Sequence, residues 1–204
     1  MTTLAAWLKT SPIIAILRGI RPEEAAAVGD ALYSTGIRIM EVPMNSPDPL
    51  ASIEILSRKF GDRALIGAGT VTDPASVKRI CMAGGRMIIM PHGDAEVVQK
   101  SKILGLVTVP GFATPTEAFA MIAAGADGLK LFPAGAYNPD ILRNLLAVMP
   151  TDLPIIPVGG ITPEAMPAWR AAGGIGFGVG SMLYKPGMTA EDVRRNAERL
   201  MAVA

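Results

Sequence analysis

The sequence has 204 residues, a formal net charge of +1, one cysteine and one histidine, and half of its residues are hydrophobic. This length suits one domain with one sizeable core, and the near-zero charge excludes the long-range field that attracts nucleic acid or anionic lipid. No apolar run approaches the ~20 residues that span a bilayer, and the N-terminus lacks a basic start followed by an apolar core. We therefore expect neither a membrane span nor a signal peptide. With Cys81 alone the chain cannot form an internal disulfide, so we expect a cytoplasmic protein.

Eight short apolar runs recur along the chain, and their starts are separated by roughly 20–27 residues. The runs are Ile13–Leu17, Arg38–Val42, Leu65–Ala68, Met87–Met90, Leu106–Val109, Gly128–Phe132, Ile155–Val158 and Ile175–Val179. The segments between them alternate apolar and polar residues at helical spacing, which predicts eight parallel βα units. Because eight such units close a barrel, we predict a (β/α)8 TIM barrel that forms one α/β domain over residues 1–204. A short helix at Leu4–Lys9 is expected beneath it.

Signals for the ends of helices support these units. Five segments begin with a capping side chain or a proline in the first turn: Pro22–Glu24, Asp73–Pro74, Thr114–Glu117, Asn138–Pro139 and Thr162–Glu164. Five glycines are expected to end helices before the next strand: Gly36, Gly84, Gly105, Gly125 and Gly173. An open, doubly wound sheet is the alternative fold. However, the first strand lacks the GxGxxG phosphate turn, and the even division of the chain by eight favours closure.

Lys130 and Glu41 are charged residues inside predicted strands, the sixth and the second. Alternation places Lys130 and Phe132 on the face opposite Leu129 and Leu131. If the leucines pack under the helices, Lys130 points into the barrel, and the same parity directs Glu41 inward. Desolvation by Phe132 and an aliphatic wall lowers the pKa of a lysine and frees its lone pair for attack on a carbonyl, whereas a nearby Glu41 carboxylate opposes that shift. A structural Lys–Glu ion pair at the barrel centre is the alternative.

Polar or turn-forming residues follow other strands, at the end of a barrel where catalytic groups lie. Arg18 suits a carboxylate or phosphate but is also compatible with a surface position at the rim, and Thr70 either orients a hydroxyl or caps the next helix. Pro91 ends the fourth strand and is assigned to the substrate site. His92 is interpreted first as a loop or helix-cap residue and second as a substrate contact. Because the chain has no other histidine, we expect no histidine-built metal centre and assign no metal or cofactor, although a carboxylate-bound magnesium stays open.

Two glycine-rich segments follow the seventh and eighth strands. In barrels these loops often bind phosphate through glycine N–H groups, since glycine lets the backbone approach an anion closely. The pairs Gly159–Gly160 and Gly180–Ser181 are therefore the predicted phosphate ligands. Gly176 and Gly178 are not assigned to the phosphate, because close packing inside the barrel would also explain glycine at these two positions.

These residues and the motifs around them resemble the 2-keto-3-deoxy-6-phosphogluconate and -galactonate aldolase family. The resemblance covers nearly the whole chain, on the segments Ile16–Ile20, Met40–Pro47, Gly67–Val71, Leu129–Pro133 and Val158–Ile161. It implies a metal-independent, cofactor-free aldolase in which Lys130 is the Schiff-base lysine and Glu41 the general acid/base, while Arg18 and Thr70 contact a phosphorylated keto acid. It also implies a homotrimer. The mean hydropathy of +0.38, high for a soluble monomer, independently favours an oligomer.

Two positions resemble the galactonate branch of that family. Asn45 stands where gluconate-specific relatives typically have arginine, and Val158 replaces their threonine before the glycine pair. The two substrates differ in configuration at C4, and an unmatched buried polar group beside that carbon costs roughly 1–3 kcal/mol. We therefore expect a class I aldolase that cleaves 2-dehydro-3-deoxy-6-phosphogalactonate to pyruvate and D-glyceraldehyde 3-phosphate, with Asn45, Val158 and Phe132 at the substrate site. An enzyme for the gluconate epimer, or for both epimers, is the alternative.

Two other functions are compatible with a phosphate-binding barrel. A phosphosugar epimerase shares the fold, but several such enzymes need metal-ligating histidines that this sequence lacks. A noncatalytic phosphosugar-binding protein would bind the ligand without forming a covalent adduct that borohydride traps.

Overall fold

Nine parallel strands build a curled sheet in the computed structural model, which describes residues 3–204. The strands are β1 (Ile13–Ile16), β2 (Ile39–Pro43), β3 (Leu65–Gly69), β4 (Met87–Ile89), β5 (Val107–Val109), β6 (Gly111–Phe112), β7 (Leu129–Leu131), β8 (Ile155–Pro157) and β9 (Phe177–Val179). One part of the sheet has the order β5-β4-β3-β2-β1-β9, and the other has the order β6-β7-β8. Every pairing is parallel, as helical crossovers between successive strands require.

The two parts of the sheet close into one barrel. β5 and β6 are consecutive pieces of one barrel strand, interrupted at Pro110, which has no N–H to donate to a ladder. At the other seam, a parallel bridge between Val158 and Gly178 joins β8 to β9. Eight strand positions therefore surround the barrel axis, and the predicted (β/α)8 fold is confirmed over the open doubly wound sheet.

Helices connect the strands around the outside of the barrel. They are α1 (Leu4–Thr10), α2 (Pro22–Ser34), α3 (Pro49–Phe60), α4 (Pro74–Met82), α5 (Ala95–Ile103), α6 (Pro115–Ala123), α7 (Asp140–Leu146), α8 (Met166–Ala171) and α9 (Ala190–Met201), with short 3₁₀ turns at Gly61–Arg63 and Ala134–Ala136. The predicted caps act as expected at α4 and α6, where the Asp73 and Thr114 side chains accept hydrogen bonds from first-turn N–H groups. The five predicted C-terminal glycines all adopt positive φ, which only glycine does without strain.

One predicted helix start is wrong. The Thr162–Glu164 signature predicted a helix there, but α8 begins at Met166 and residues 163–165 form a turn. The Thr162 hydroxyl still accepts a hydrogen bond of 3.3 Å from the Ala165 N–H, so it stabilises this turn instead of the first turn of a helix. The signature is a local one, and a turn and a helix N-terminus share it.

Alternation along each strand separates an inner core from an outer core. In β3, Leu65 packs inside the barrel with Ile14 and Ile39, while Ile66 and Ala68 pack under the helices. The inner core excludes water from the barrel centre, where the lining side chains then lie in a medium of low polarity.

Helix α1 covers the N-terminal end of the barrel, as predicted. Its Leu4 and Leu8 side chains are buried against the inner core, and burial of each stabilises the fold by roughly 1.5–3 kcal/mol. The helix is capped by the Thr3 hydroxyl, which accepts a hydrogen bond of 3.3 Å from the Ala6 N–H. No helix within residues 3–204 has the length and apolar character needed to cross a membrane.

Candidate active site

A cleft of about 280 Å³ opens at the C-terminal ends of the barrel strands. Eight of the predicted site residues line it: Arg18, Lys130, Phe132, Val158, Gly159, Gly160, Gly180 and Ser181. The lining is completed by Ile16, Ile161, Thr162, Gly178 and Met182. Residues from opposite ends of the sequence therefore meet here because β1, β7, β8 and β9 end at the same edge of the barrel.

Three cavities are larger than this cleft: one of about 320 Å³ lies between α3 and α4, and two of about 660 Å³ each lie at the opposite end of the barrel beside α1. Trp7 lines one of the two beside α1 and Leu8 lines the other. None of the three contains Lys130 or Glu41. In (β/α)8 barrels the catalytic residues lie at the C-terminal ends of the strands, whereas residues at the N-terminal ends stabilise the fold. The smaller cleft is therefore the candidate active site.

Lys130 is buried at the centre of β7 and points into the barrel, as the alternation predicted, because Leu129 and Leu131 pack under the helices. Its Nζ lies 4.7 Å from the centroid of the Phe132 ring. Burial lowers the pKa of Lys130; the positive charge of Arg18 acts in the same direction and the Glu41 carboxyl opposes it. The net direction is downward, which raises the fraction of neutral, nucleophilic amine at neutral pH.

Glu41 lies on β2 with only 1% of its surface exposed. Burial raises the pKa of this carboxyl to about 7, against the opposing charges of Lys130 and Arg18. Its Oε2 has no hydrogen-bond partner among residues 3–204, and its carboxyl oxygens lie beyond the 4.0 Å of a direct ion pair with Lys130. Glu41 and Lys130 nevertheless face one small cavity of about 10 Å³ inside the barrel. An unpaired buried carboxyl whose pKa lies near neutrality is suited to proton transfer, and the structural ion pair is not formed.

Arg18, Asn45 and Thr70 form a hydrogen-bonded group beside the cleft. Arg18 Nη1 donates to Asn45 Oδ1 at 2.7 Å, and Arg18 Nη2 donates to Thr70 Oγ1 at 3.3 Å. Only Arg18 of the three lines the cleft. Thr70 has a φ of +55°, a left-handed conformation that is strained for a β-branched residue. The turn after β3 therefore holds the Thr70 hydroxyl against Arg18 at a cost in backbone energy.

The Gly159–Gly160 loop has the backbone geometry expected of a close anion site. Gly159 and Gly160 adopt φ values of +90° and +76°, which side-chain-bearing residues rarely adopt. A Cβ at Gly159 would lie 3.2 Å from the Phe132 ring, so the loop and this ring are packed together. At Gly178 a Cβ would lie 2.7 Å from Val158 Cγ2, and at Gly176 a Cβ would lie 2.6 Å from Leu8 Cδ2. Barrel packing is thus sufficient to explain Gly176 and Gly178.

Pro91 and His92 lie outside the residues that line the cleft. The backbone of Pro91 packs against Gly111, and the His92 carbonyl accepts a hydrogen bond of 3.1 Å from the Gly111 N–H. The His92 side chain is exposed in the loop after β4. Across residues 3–204 no three His, Cys, Asp or Glu side chains group as they would around a metal ion.

Sequence reasoning missed several residues that line the cleft. Ile16 faces inward with Ile14, and the alternation along β1 would have identified it. Ile161, Thr162 and Met182 lie in loops, where no periodic pattern indicates the direction of a side chain.

These features combine into a site for carbonyl chemistry on an anionic substrate. A lysine with a lowered pKa can form an imine, a carboxyl with a pKa near 7 can move protons in both directions, and Arg18 and the glycine loops can bind negative groups.

Comparison with known proteins gives a consistent result. The chain is 47% identical over 191 residues to the probable 2-dehydro-3-deoxy-6-phosphogalactonate aldolase of Rhizobium meliloti (strain 1021), across 94% of this chain and 90% of that protein. It is 42% identical over 191 residues to the 2-dehydro-3-deoxy-6-phosphogalactonate aldolase of Escherichia coli (strain K12), across 94% and 93%. A solved structure described as "Native KDPGal structure" superposes with a TM-score of 0.93 at 41% identity, across 94% of this chain and 93% of that one. A family model described as KDPG and KHG aldolase matches residues 4–199, and the chain therefore belongs to that family.

Proposed function

We propose that the protein is a class I aldolase, an aldehyde-lyase that cleaves 2-dehydro-3-deoxy-6-phosphogalactonate to pyruvate and D-glyceraldehyde 3-phosphate. The observation that carries this proposal is the position of Lys130: this strand lysine is buried, has a lowered pKa and lines the cleft. Membership of an aldolase family and the names of the two relatives support the reaction and the substrate.

The mechanism follows from what Lys130 and Glu41 can do. The neutral Lys130 amine attacks the C2 ketone, and proton transfer through Glu41 expels water from the carbinolamine to form the iminium. Glu41 then takes the C4 hydroxyl proton while the C3–C4 bond breaks, and the electron pair of that bond passes to the iminium as an enamine. Glyceraldehyde 3-phosphate leaves, C3 is protonated, and water releases pyruvate from Lys130. A Glu41 pKa of about 7 suits both directions of proton transfer at neutral pH.

The remaining cleft residues bind and orient the substrate. Arg18 contributes a cationic fork for the keto-acid carboxylate or the phosphate, and Asn45 and Thr70 hold that fork in place. The loops at Gly159–Gly160 and Gly180–Ser181 supply backbone N–H groups for the phosphate. Phe132 contributes an apolar wall beside the Lys130 amine. Pro91 has the weakest support as a substrate residue because it does not line the cleft.

Preference for the galactonate epimer is assigned to Val158. This side chain is buried and lines both the cleft and the small cavity that Lys130 and Glu41 share. A methyl group there offers no hydrogen bond to a C4 hydroxyl, in contrast to the threonine typical of gluconate-specific relatives. Activity on the gluconate epimer, or on both epimers, is the alternative within the same reaction.

We further propose that residues 1–204 act as a single aldolase domain in a cytoplasmic homotrimer. Large exposed hydrophobic side chains support an oligomer: Met82 and Ile103, at the ends of the neighbouring helices α4 and α5, are 78% and 83% exposed. The family resemblance supports three subunits. Light scattering on the purified protein measures the subunit number directly.

Cleavage of the phosphorylated keto acid tests the reaction. The purified protein should release pyruvate and glyceraldehyde 3-phosphate in equal amounts from the galactonate epimer. Binding of this compound without release of pyruvate would contradict the proposal and favour the noncatalytic phosphosugar-binding protein.

A further inference from the structure

Two inward-facing positions of β3 are glycines, and they differ in what occupies the space beside them. Alternation from Leu65 places Gly67 and Gly69 on the inner face of the strand. A Cβ at Gly67 would meet the backbone carbonyl oxygen of Met87 at 2.1 Å. A Cβ at Gly69 would meet Glu41 Oε2 at 1.9 Å, Cδ at 2.2 Å and Oε1 at 2.3 Å. The three atoms nearest to this absent side chain are thus the carboxyl group of Glu41.

Backbone conformation does not explain the glycine at position 69. Gly69 is the last residue of β3 and has no positive φ, so any residue can adopt its backbone geometry. It pairs in register with Pro43 of β2, and its carbonyl accepts a hydrogen bond of 2.8 Å from the Met44 N–H. Both features are available to a residue with a side chain. The requirement for glycine therefore comes from the Glu41 carboxyl.

We propose that Gly69 is a positioning residue for the aldolase reaction, because the side chain that it lacks leaves the space in which the Glu41 carboxyl is held beside Lys130. The inference rests on the proposed role of Glu41 in proton transfer. It extends that role to a residue that does not itself exchange a proton.

The size of the overlap predicts a large effect on catalysis. Carbon and oxygen atoms that are not bonded stay about 3 Å or more apart, so an alanine Cβ at position 69 displaces the carboxyl by more than about 1 Å. Misplacement of a catalytic group by about 1 Å costs on the order of 10²-fold in rate. Thr70, the next residue, anchors Arg18, but the glycine loops assigned to the phosphate follow β8 and β9, so KM should change far less than kcat.

A kinetic double-mutant cycle tests the proposal. Gly69→Ala should lower kcat by about 10²-fold in the wild type, with KM within about twofold, and by less than about twofold in a Glu41→Gln background. Gly69→Ala should also lower the apparent pKa of Glu41 in the pH profile of kcat/KM, because the displaced carboxyl is less desolvated. A wild-type kcat in Gly69→Ala, or an equal loss in both backgrounds, would overturn the proposal.

Two further variants keep the test decisive. Gly93→Ala is the matched control, since the three atoms nearest to the new Cβ belong to the flexible Met121 side chain, at 3.2 Å or more, and kcat should not change. If Gly69→Ala alone does not fold, Gly69→Ala combined with Glu41→Ala should fold, because the new Cβ then occupies the vacated space. Failure of both to fold would show that the backbone requires glycine and would overturn the inference. Near-normal turnover of Glu41→Gln alone would instead contradict the proposed function of Glu41.

Discussion

The guanidinium of Arg18 is held by Asn45, because Arg18 Nη1 donates a hydrogen bond of 2.7 Å to the Asn45 side-chain oxygen. Arg18 follows β1 and Asn45 follows β2, so this bond ties two neighbouring loops at the rim of the cleft. The second Arg18 nitrogen donates to Thr70 after β3. The cationic group that enters the cleft is thereby fixed by residues that do not line it.

Removal of the Asn45 side chain should weaken substrate binding more than it slows chemistry. In Asn45→Ala the Arg18 guanidinium keeps only its hydrogen bond to Thr70. Loss of an exposed hydrogen bond worth about 1 kcal/mol corresponds to about a fivefold rise in KM. Steady-state kinetics on the galactonate epimer measure this effect. Asn144→Ala, on the exposed face of α7, should behave as wild type. A KM unchanged by Asn45→Ala would mean that Arg18 does not depend on this anchor.

Glu41→Gln should keep the fold while slowing turnover by about 10²–10⁴-fold, the usual contribution of a general acid/base. The amide has nearly the same shape as the carboxyl but cannot accept the C4 proton. Rapid kinetics of pyruvate release measure the effect, and Glu54→Gln on an exposed face of α3 is the matched control. Turnover near that of the wild type would remove Glu41 from the mechanism.

The same carboxyl predicts how stability depends on pH. Burial raises the pKa of Glu41 from 4.5 to about 7, so between these values the folded protein keeps a proton that the unfolded chain has released. The contribution of Glu41 to the free energy of unfolding should therefore fall as the pH rises from about 4.5 to 7, by up to about 3 kcal/mol at 1.36 kcal/mol per pKa unit. Glu41→Gln removes this titration. Urea unfolding of both proteins across that window should give curves that diverge as the pH rises, and parallel curves would contradict the raised pKa.

Val158→Thr should raise activity on the gluconate epimer relative to the galactonate epimer. The substitution adds a hydroxyl with little change in volume beside the cavity that Lys130 and Glu41 share. A hydrogen bond of ~1 kcal/mol to one C4 configuration corresponds to about a fivefold change in the ratio of kcat/KM values. Ile16→Val, also in the cleft, should affect both epimers alike. An unchanged ratio in Val158→Thr would show that this residue only packs against Gly178.

The barrel and the directions of its central side chains could be predicted from the sequence because both follow from short-range periodicity. Two-residue alternation was enough to place Lys130 and Glu41 inside the barrel. The bond between Arg18 and Asn45 could not be predicted in this way, since it depends on how two loops after adjacent strands fold. The left-handed backbone of Thr70 carries no sequence signal either, because β-branched residues rarely adopt it. The start of α8 was misplaced because a threonine followed by proline caps turns as well as helices.

The role of Gly69 shows a further limit of sequence reasoning. Gly67 and Gly69 have the same inward parity in one strand, yet one glycine accommodates a backbone carbonyl and the other a carboxyl from β2. Only the three-dimensional register of β3 against β2 and β4 distinguishes them.

Trapping with borohydride in the presence of pyruvate tests the central claim, that Lys130 is the Schiff-base nucleophile, most directly. Peptide mass spectrometry should find one reduced pyruvyl group, attached to the Nζ of Lys130. Lys130→Arg should abolish the adduct, because a guanidinium stays protonated and is not a nucleophile. Lys102→Arg should retain it, since the Lys102 amine forms a surface ion pair with Asp127 away from the cleft. An adduct on another lysine, or no adduct in the wild type, would contradict the assignment of Lys130.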